Sequence, residues 1–282
     1  MTTTPSPPHP HTSTPLHLLW SFLIRDFHTE VSYRLAFVVS IGGILLRALV
    51  FFFLSQFINA IAGPNLDLYN GDYFSFVIIG IALGGYFSTG LTGFADALRQ
   101  SQTTGTLEAM MMTPVPVSWI VVGSATWSYV YTTFRVIVYL VIGVLLLGLD
   151  LSRANYPAAL LILLLSIVAF ASIGILTASI IMVIKRGEPI TGLFANLANL
   201  VGGVFYPVAI LPGWLQVIAG LLPITYSMRA MRAALLTGAS WGELAGDLLA
   251  LLLFCVVLFP LSLVLFRFAV DRARADGSLA HY

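Results

Sequence analysis

Charged residues are scarce in this sequence, since 13 Lys and Arg and 12 Asp and Glu make up only 9% of 282 residues. Soluble globular proteins carry about a quarter charged residues. The formal net charge of +1 provides no basic field that would attract a nucleic acid. Because 59% of the residues are hydrophobic and the mean hydropathy is +0.95, the composition excludes a soluble enzyme, a disordered scaffold and a nucleic-acid binder. It indicates an integral membrane protein.

Catalytic and metal-binding patterns are also missing. Cys255 is the only cysteine, which excludes an internal disulfide. The only lysine, Lys185, lacks the preceding glycines of a P-loop, so we expect no ATP, metal or other cofactor on this chain. Neither an H-E-x-x-H nor a G-x-S-x-G motif occurs, and the centres of the apolar runs contain no Asp or Glu for a proton relay. The histidines stand in the terminal segments, outside the apolar runs: His9, His11, His17, His28 and His281.

Six apolar runs are predicted to span the membrane, where a helix needs roughly twenty apolar residues. They are Leu35–Ala60, Tyr73–Ala95, Val117–Gly148, Ala158–Ile184, Ile190–Tyr206 and Leu244–Phe268. The fifth is short and contains Gly202 and Gly203.

Six crossings place both termini on one side, together with Arg25, Arg34, Arg99, Lys185, Arg186, Arg267, Arg272 and Arg274. The other side receives only Arg153, Arg229 and Arg232. Basic residues near spans resist translocation, so we expect both termini in the cytoplasm. The membrane is expected to be the plasma (inner) membrane.

The segments outside these spans have their own predicted roles. Residues 1–15 are rich in Thr, Pro, Ser and His and are expected to form a disordered tail, and residues 271–282 a cytosolic C-terminal tail. Residues 16–34 mix aromatic, aliphatic and basic side chains, which favours an amphipathic helix in the membrane interface. The alternative is a plain extension of the first span. In residues 207–238 the apolar part is too short to cross, and its prolines favour two short helices that form a re-entrant or interfacial hairpin.

The predicted cytosolic loop Gln100–Pro116 contains a short helix candidate. After Thr104, Gly105 and Thr106 stand near its start. Glu108 lies in its first turn, where the helix dipole favours an anion, and Pro114 ends it. One small apolar face follows the i, i+3, i+4 spacing of Leu107, Met110 and Met111. Methionine adapts well to a partner's groove, so one interpretation is a docking helix for a soluble partner. The other is a solvated connector that packs on its own bundle.

Two motifs resemble those of a known family. Residues 105–115, GTLEAMMMTPV, resemble the "GTLE-A-L-L-x-TP" signature of ABC-2 type transporter permeases of the multidrug and lipid exporter branch. GVFYP at 203–207, LPGWL at 211–215 and LPITY at 222–226 resemble a second signature of that family. Together with the six-span layout, the resemblance covers most of residues 16–270. One departure is that Val208–Ile210 and Arg229 stand where the family often has acidic residues, which leaves the hairpin arginines without their usual acidic neighbours.

The resemblance implies an all-α membrane protein with a six-span ABC-2 domain over residues 35–270, similar to type V ABC exporters. It implies a half-transporter that pairs with a second permease copy, homodimeric in the simplest case, and docks two cytosolic ABC ATPase subunits that bind ATP and Mg²⁺. Residues 100–116 would be the coupling helix. Residues 207–238 would be an outer hairpin over the pathway, and its gate residues would be Tyr206, Pro207, Pro212, Trp214, Pro223, Tyr226, Arg229 and Arg232.

Four polar residues lie deep in apolar runs: Arg47, Arg135, Asn196 and Asn199. A charge at mid-bilayer costs at least about 2.5–3.5 kcal/mol on insertion scales, so each arginine should face protein, water or an anion. One hypothesis is that the arginines line a translocation path and meet an anionic group. The other is that they snorkel or cap carbonyls. The asparagines either hydrogen-bond between helices or face a polar path.

The sequence thus predicts the membrane subunit of an ATP-driven exporter, with a lipid-like substrate, an amphipathic drug or a lipid-linked saccharide as cargo. A different class remains open, namely a non-pumping channel or a scaffold module. Co-elution of a soluble P-loop ATPase would distinguish the two.

Overall fold

The computed structural model describes residues 15–32, 34–59, 72–103, 117–184 and 188–275. These residues form helices and short connections, with no strand among them, as an all-α fold predicts. The helices, numbered here in chain order, are α1 Pro15–Ser32, α2 Arg34–Asn59, α3 Tyr73–Thr103, α4 Val117–Leu146, α5 Tyr156–Ile184, α6 Glu188–Val201, α7 Gly213–Gly220, α8 Pro223–Arg232 and α9 Trp241–Ala275. A 3₁₀ turn, Val208–Ile210, precedes α7, and a π turn, Ala233–Thr237, extends α8.

Five of these helices are long and apolar enough to cross a membrane. Their apolar parts are Phe37–Ile58, Tyr73–Phe94, Ala125–Leu146, Tyr156–Ile180 and Trp241–Ala269. They coincide with five of the six predicted spans, which makes this a multi-pass membrane protein. The remaining predicted span contains α6, whose apolar part is only Gly192–Val201. Gly203, with a φ of +83°, and the turn from Gly202 end this helix before it reaches the length of a full span.

Helix α3 is the centre of the bundle, since 83% of its apolar part is buried, compared with 11% for α2. It packs against α2, α4, α5, α6 and α8. At its crossing with α5 the two backbones touch, because a methyl group on Gly174 would lie 1.7 Å from the Gly90 carbonyl oxygen. Small residues allow this close approach of membrane helices. Helix α5 in turn packs along α9.

The end of the bundle that carries α7 and α8 is held together by hydrogen bonds between distant parts of the chain. We call it the hairpin end. The Asn155 backbone N–H donates to the Ala234 carbonyl at 2.8 Å, and the Asn155 amide donates to the Ala239 carbonyl at 2.9 Å. Gly238, with a φ of +65°, ends the π turn against the backbone of Arg153. The start of α5, the end of α8 and the start of α9 therefore lie at the same end.

The loop between α4 and α5 also lies at the hairpin end. In it, the Asp150 carboxylate accepts a hydrogen bond from the Ser152 backbone N–H at 2.9 Å. This bond stabilises the charged form and lowers the pKa of the Asp150 carboxyl.

Helix α1 packs against α4 through aromatic contacts. The Phe22 ring is buried against Gly123, where no β-carbon stands in its way. The Phe27 ring meets the Trp127 ring edge-on, with centroids 6.1 Å apart. The Trp20 side chain, by contrast, is 62% exposed.

Several predicted segments fall outside the described residues: the tail residues 1–14, the coupling residues from Thr104 to Pro116, and residues 276–282. Of the predicted coupling residues, Thr104, Gly105, Leu107, Glu108, Met110, Met111 and Pro114 all belong to the second of these segments. Their assignment stays a prediction. At the C-terminal side, α9 continues to Ala275, past the predicted end of the membrane domain at residue 270.

Candidate functional site

A cavity of about 480 Å³ opens between α2, α3, α4 and α6. Its lining includes three of the four polar residues that the sequence singled out, Arg47 from α2, Arg135 from α4 and Asn199 from α6. The fourth, Asn196, is exposed and is not part of the lining. Residues from three different helices thus meet at one place, which their separation in the sequence does not reveal.

Both cavity arginines stand at the middle of their spans. Arg47 is ten residues from the start of Phe37–Ile58 and eleven from its end. Arg135 occupies the same place in Ala125–Leu146. Ten residues of helix correspond to about 15 Å, half the thickness of the hydrocarbon core. The two guanidinium groups therefore lie near the depth at which an exposed charge is most costly.

No carboxylate is found among the described residues that line the cavity. The buried Nε–H of Arg135 has no hydrogen-bond partner, and neither has the side-chain oxygen of Asn199. The Asn199 amide nitrogen makes one long bond of 3.3 Å to the Ser88 hydroxyl. Buried polar groups are normally satisfied in native proteins, and the described residues leave these two without a partner.

Hydroxyl groups on the facing surfaces of α3 and α4 add further polar atoms. The hydroxyls of Thr89 and Thr132, both in the lining, are 2.7 Å apart. One turn away, the Tyr86 hydroxyl donates to Thr133 at 2.8 Å. Sequence reasoning missed these residues. Their only signal is the placement of small hydroxyl residues within apolar runs, which is common in membrane helices that do not form a site.

The rest of the lining is apolar and aromatic. Phe51 of α2 stacks on Phe205, which follows α6, with ring centroids 6.0 Å apart and an angle of 16° between the planes. Val136, Tyr139 and Val204 complete this side. The cavity therefore has a cationic and hydroxyl-bearing part beside an aromatic and aliphatic part, which is the distribution that an amphipathic ligand requires.

The second group of predicted site residues lies in α7, α8 and the connection before them, and Arg232 of this group has an unexpected role. Its guanidinium is buried, with only 2% of the residue exposed, and donates to three carbonyls: Phe76 at 2.9 Å, Gly203 at 2.7 Å and Val204 at 2.8 Å. It also lies over the Phe76 ring, 3.5 Å from the centroid. Carbonyls at the end of a helix carry partial negative charge, so this cation caps the end of α6 and joins it to α3 and α8.

Arg229, one turn earlier, has an acidic partner that sequence reasoning did not find. Its Nε lies 3.0 Å from both carboxylate oxygens of Asp247 on α9, and a second guanidinium nitrogen also contacts that carboxylate. The inference that the hairpin arginines lack acidic neighbours was therefore wrong for Arg229. The reason is that the partner comes from the next helix, 18 residues later, and not from the acidic positions of the family's hairpin motif.

The remaining predicted hairpin residues organise the two short helices. Pro207 and Pro212 immediately precede the 3₁₀ turn and α7, and Pro223 is the first residue of α8, where its missing N–H costs nothing. The Tyr226 hydroxyl donates to the Gly220 carbonyl at 2.9 Å and satisfies the end of α7. The Trp214 side chain is 66% exposed, and Tyr206 is half-buried.

Comparison with known proteins gives one family. The model of that family, described as ABC-2 type transporter, matches residues 16–236, which is more than half of the chain. The matched range includes the cavity and its arginines, the GTLEAMMMTPV motif at 105–115, and α7 and α8 up to Arg232. No curated protein matches the chain.

Proposed function

The chain belongs to the ABC-2 type transporter family, and from this premise we propose that it is the membrane-spanning permease of an ATP-driven exporter. The observation that carries the proposal is the family match over residues 16–236 together with five helices of membrane-spanning length. Members of this family are transport subunits and normally work with an ABC ATPase. The proposed assembly contains two copies of that ATPase and a second permease copy.

The proposed topology has six crossings, with both termini in the cytoplasm of the plasma (inner) membrane. Two features of the hairpin end support it. The start of α3, the end of α6 and the end of α8 meet there through Arg232, and Asn155 joins the start of α5 to the connection that leads into α9. Since α5 begins at this end and α9 also begins there, the chain must return between them. In the proposed topology α6, although shorter than a full span, forms this return, and α7 and α8 form the outer re-entrant hairpin.

In this topology the segment from Thr104 to Pro116, between α3 and α4, lies on the cytoplasmic side and docks the ATPase. Leu107 and Met111 form the packing face, and Glu108 orients the contact. Helix α3 leads directly from this segment to the Arg232 contact at the opposite end, and it is the most buried span. A rigid central helix is suited to carry a displacement from the ATPase to the outer hairpin.

The proposed mechanism is mechanical. ATP closes the ATPase dimer, the dimer moves the coupling segment, and the spans rock so that the pathway opens outward. For this coupling the ATPase must bind the two permease conformations with different free energies. The cavity between α2, α3, α4 and α6 forms part of the pathway. Helix α2 is the loosely packed wall of that cavity, with only 11% of its apolar part buried.

Reconstitution tests the function directly. The full chain is purified in mild detergent, a co-eluting ABC ATPase is identified, and the complex is placed in vesicles with a fluorescent amphipathic dye. We expect dye movement that requires hydrolysable ATP and stops with a non-hydrolysable analogue. Movement by this chain alone without nucleotide would contradict the proposal and favour a passive channel. A complex without transport would favour the scaffold.

A double substitution tests the coupling segment. We expect Glu108→Ala with Met111→Ala to leave assembly of the permease intact but to lower ATP-dependent dye export by tenfold or more. Arg153→Gln is the matched control, because Arg153 is exposed in the loop between α4 and α5, away from that segment. Normal export by the double variant would contradict the assignment of the coupling helix.

A further inference from the structure

We propose that the cavity binds the phosphate-type headgroup of an amphipathic anion, with Arg47 and Arg135 as the two cationic contacts. The inference deepens the proposed function, on which it rests, by naming the chemical class of the cargo. It depends on the juxtaposition of two mid-span guanidinium groups in one cavity, since a single arginine at this depth could be satisfied by snorkelling alone.

The first argument is that the arginines of the hairpin end have partners within the chain. Arg232 donates to three carbonyls, and Arg229 contacts the Asp247 carboxylate. The cavity arginines differ, because no carboxylate lines the cavity among the described residues. Two like charges that share a space without an anion repel each other, so an external anion is the missing component.

The second argument concerns the geometry of the donors. Guanidinium groups present several N–H donors in a planar fork that matches phosphate oxygens, and two of them can contact one phosphate from different sides. The Thr89 and Thr132 hydroxyls and the Asn199 amide lie in the same lining. These groups would bind phosphate oxygens that the arginines leave free. A cationic headgroup such as choline would be repelled by the same pair of charges.

The third argument concerns the rest of the ligand. The stacked rings of Phe51 and Phe205 form an apolar wall beside the arginines. The volume of about 480 Å³ accommodates a headgroup and the first part of a chain but not two complete acyl chains. Since α2 is the least buried wall, a hydrocarbon tail can leave the cavity along its exposed apolar face.

The experiment measures binding without the ATPase. The full chain is placed in nanodiscs of phosphatidylcholine that contain a small fraction of phosphatidic acid, and native mass spectrometry counts the lipids retained per protomer. We expect about tenfold enrichment of phosphatidic acid over its share of the bilayer. Arg47→Gln and Arg135→Gln should each lower this enrichment about tenfold, since each removes charge-assisted hydrogen bonds. Arg153→Gln should keep it.

Two further measurements make the result decisive. Arg135→Lys keeps the charge but loses the planar fork, so it should retain more of the enrichment than Arg135→Gln and less than the unmodified protein. This graded loss separates loss of binding from loss of folding. Addition of inorganic phosphate at about 1 mM distinguishes the source of the anion. Displacement of phosphatidic acid indicates that the site takes free phosphate. Retention of phosphatidic acid indicates that the site takes a lipid headgroup. Equal retention of both lipids by the unmodified protein, or unchanged enrichment in both Gln variants, would overturn the proposal.

The two proposals can fail separately. If phosphatidic acid is not enriched while ATP-dependent dye export is observed, the anion site is wrong and the exporter stands. If phosphatidic acid is enriched through both arginines but no ATPase assembles with the chain, the site stands and the exporter is wrong.

Discussion

Gly80→Ala is the substitution for which the structure gives the sharpest expectation. Gly80 lies on α3 where this helix passes the end of α6. A methyl group there would lie 2.1 Å from the Val204 carbonyl oxygen and 2.4 Å from a terminal nitrogen of Arg232. That nitrogen donates to the same carbonyl at 2.8 Å. The added methyl would therefore occupy the space of the hydrogen bond that caps α6.

The magnitude follows from the bonds that must shift. The α3 backbone at residue 80 and the Arg232 guanidinium cannot both stay in place. We therefore expect the hydrogen bonds from Arg232 to the Gly203 and Val204 carbonyls to be lost or strained. Hydrogen bonds to a charged group contribute about 1.5–3 kcal/mol each. Replacement of a helical glycine by alanine returns about 1 kcal/mol of helix propensity. The expected net loss of unfolding free energy is about 2–5 kcal/mol.

Thermal unfolding of the full chain in mild detergent, followed by intrinsic tryptophan fluorescence, measures this loss. A change of about 2–4 °C in Tm per kcal/mol translates it into a decrease of roughly 4–20 °C. Gly93→Ala is the matched control on the same helix. Its methyl would meet only ordinary contacts, 3.5 Å from Thr89 and 3.8 Å from Ser128, so its Tm should stay equal or rise slightly. Equal melting of the two variants would refute the role given to Arg232.

Two other contacts give expectations of the same kind. Gly174→Ala should lower the Tm by at least about 10 °C, because its methyl would lie 1.7 Å from the Gly90 carbonyl oxygen. Gly192→Ala is the control and should leave the Tm unchanged, since nothing lies within 4 Å of its added methyl. Equal Tm values for the two variants would argue against backbone contact between α3 and α5. In the ion pair on α8 and α9, Arg229→Gln should destabilise more than Asp247→Asn, since the aspartate side chain is 10% exposed and the arginine 57%. The same melting assay measures both variants. A lower Tm for Asp247→Asn than for Arg229→Gln would contradict this expectation.

The spans were predictable because they depend on a local quantity. Twenty or so apolar residues suffice to define a spanning helix, and five predicted runs agree with the helices to within a few residues at most ends. The breaks around α7 and α8 were predictable for a similar reason. Pro223 removes a backbone N–H and Gly238 accepts a left-handed conformation, and both effects act within one turn.

The length of α6 was harder to predict. The run Ile190–Tyr206 has the composition of a span, but the helix ends at Val201. Gly202 and Gly203 mark the break locally, but the cap on this end comes from Arg232, which is 31 residues further along the chain than Val201 and binds the Gly203 and Val204 carbonyls. A contact between residues that are distant in sequence leaves no local pattern. The same holds for the partner of Arg229, which stands on another helix.

Four arginines show what a sequence can and cannot say about a charge in a membrane protein. The sequence assigns the mid-bilayer cost of about 2.5–3.5 kcal/mol or more to Arg47 and Arg135, which stand in the middle of spans. The structure adds the partners of Arg229 and Arg232, which lie outside the spans on α8. Carbonyls surround Arg232 and a carboxylate meets Arg229, so these two contribute to the architecture of the hairpin end.

No carboxylate that would offset the charges of Arg47 and Arg135 lines the cavity within the described part of the chain. The same fold surrounds Arg232 with three carbonyls at the hairpin end. Two arginines in one cavity, at the same depth and without a carboxylate, are therefore better explained by an anionic ligand that arrives and leaves than by incomplete packing. A transport pathway requires this property, because a site that is fully satisfied by its own chain has no free energy left to attract its cargo.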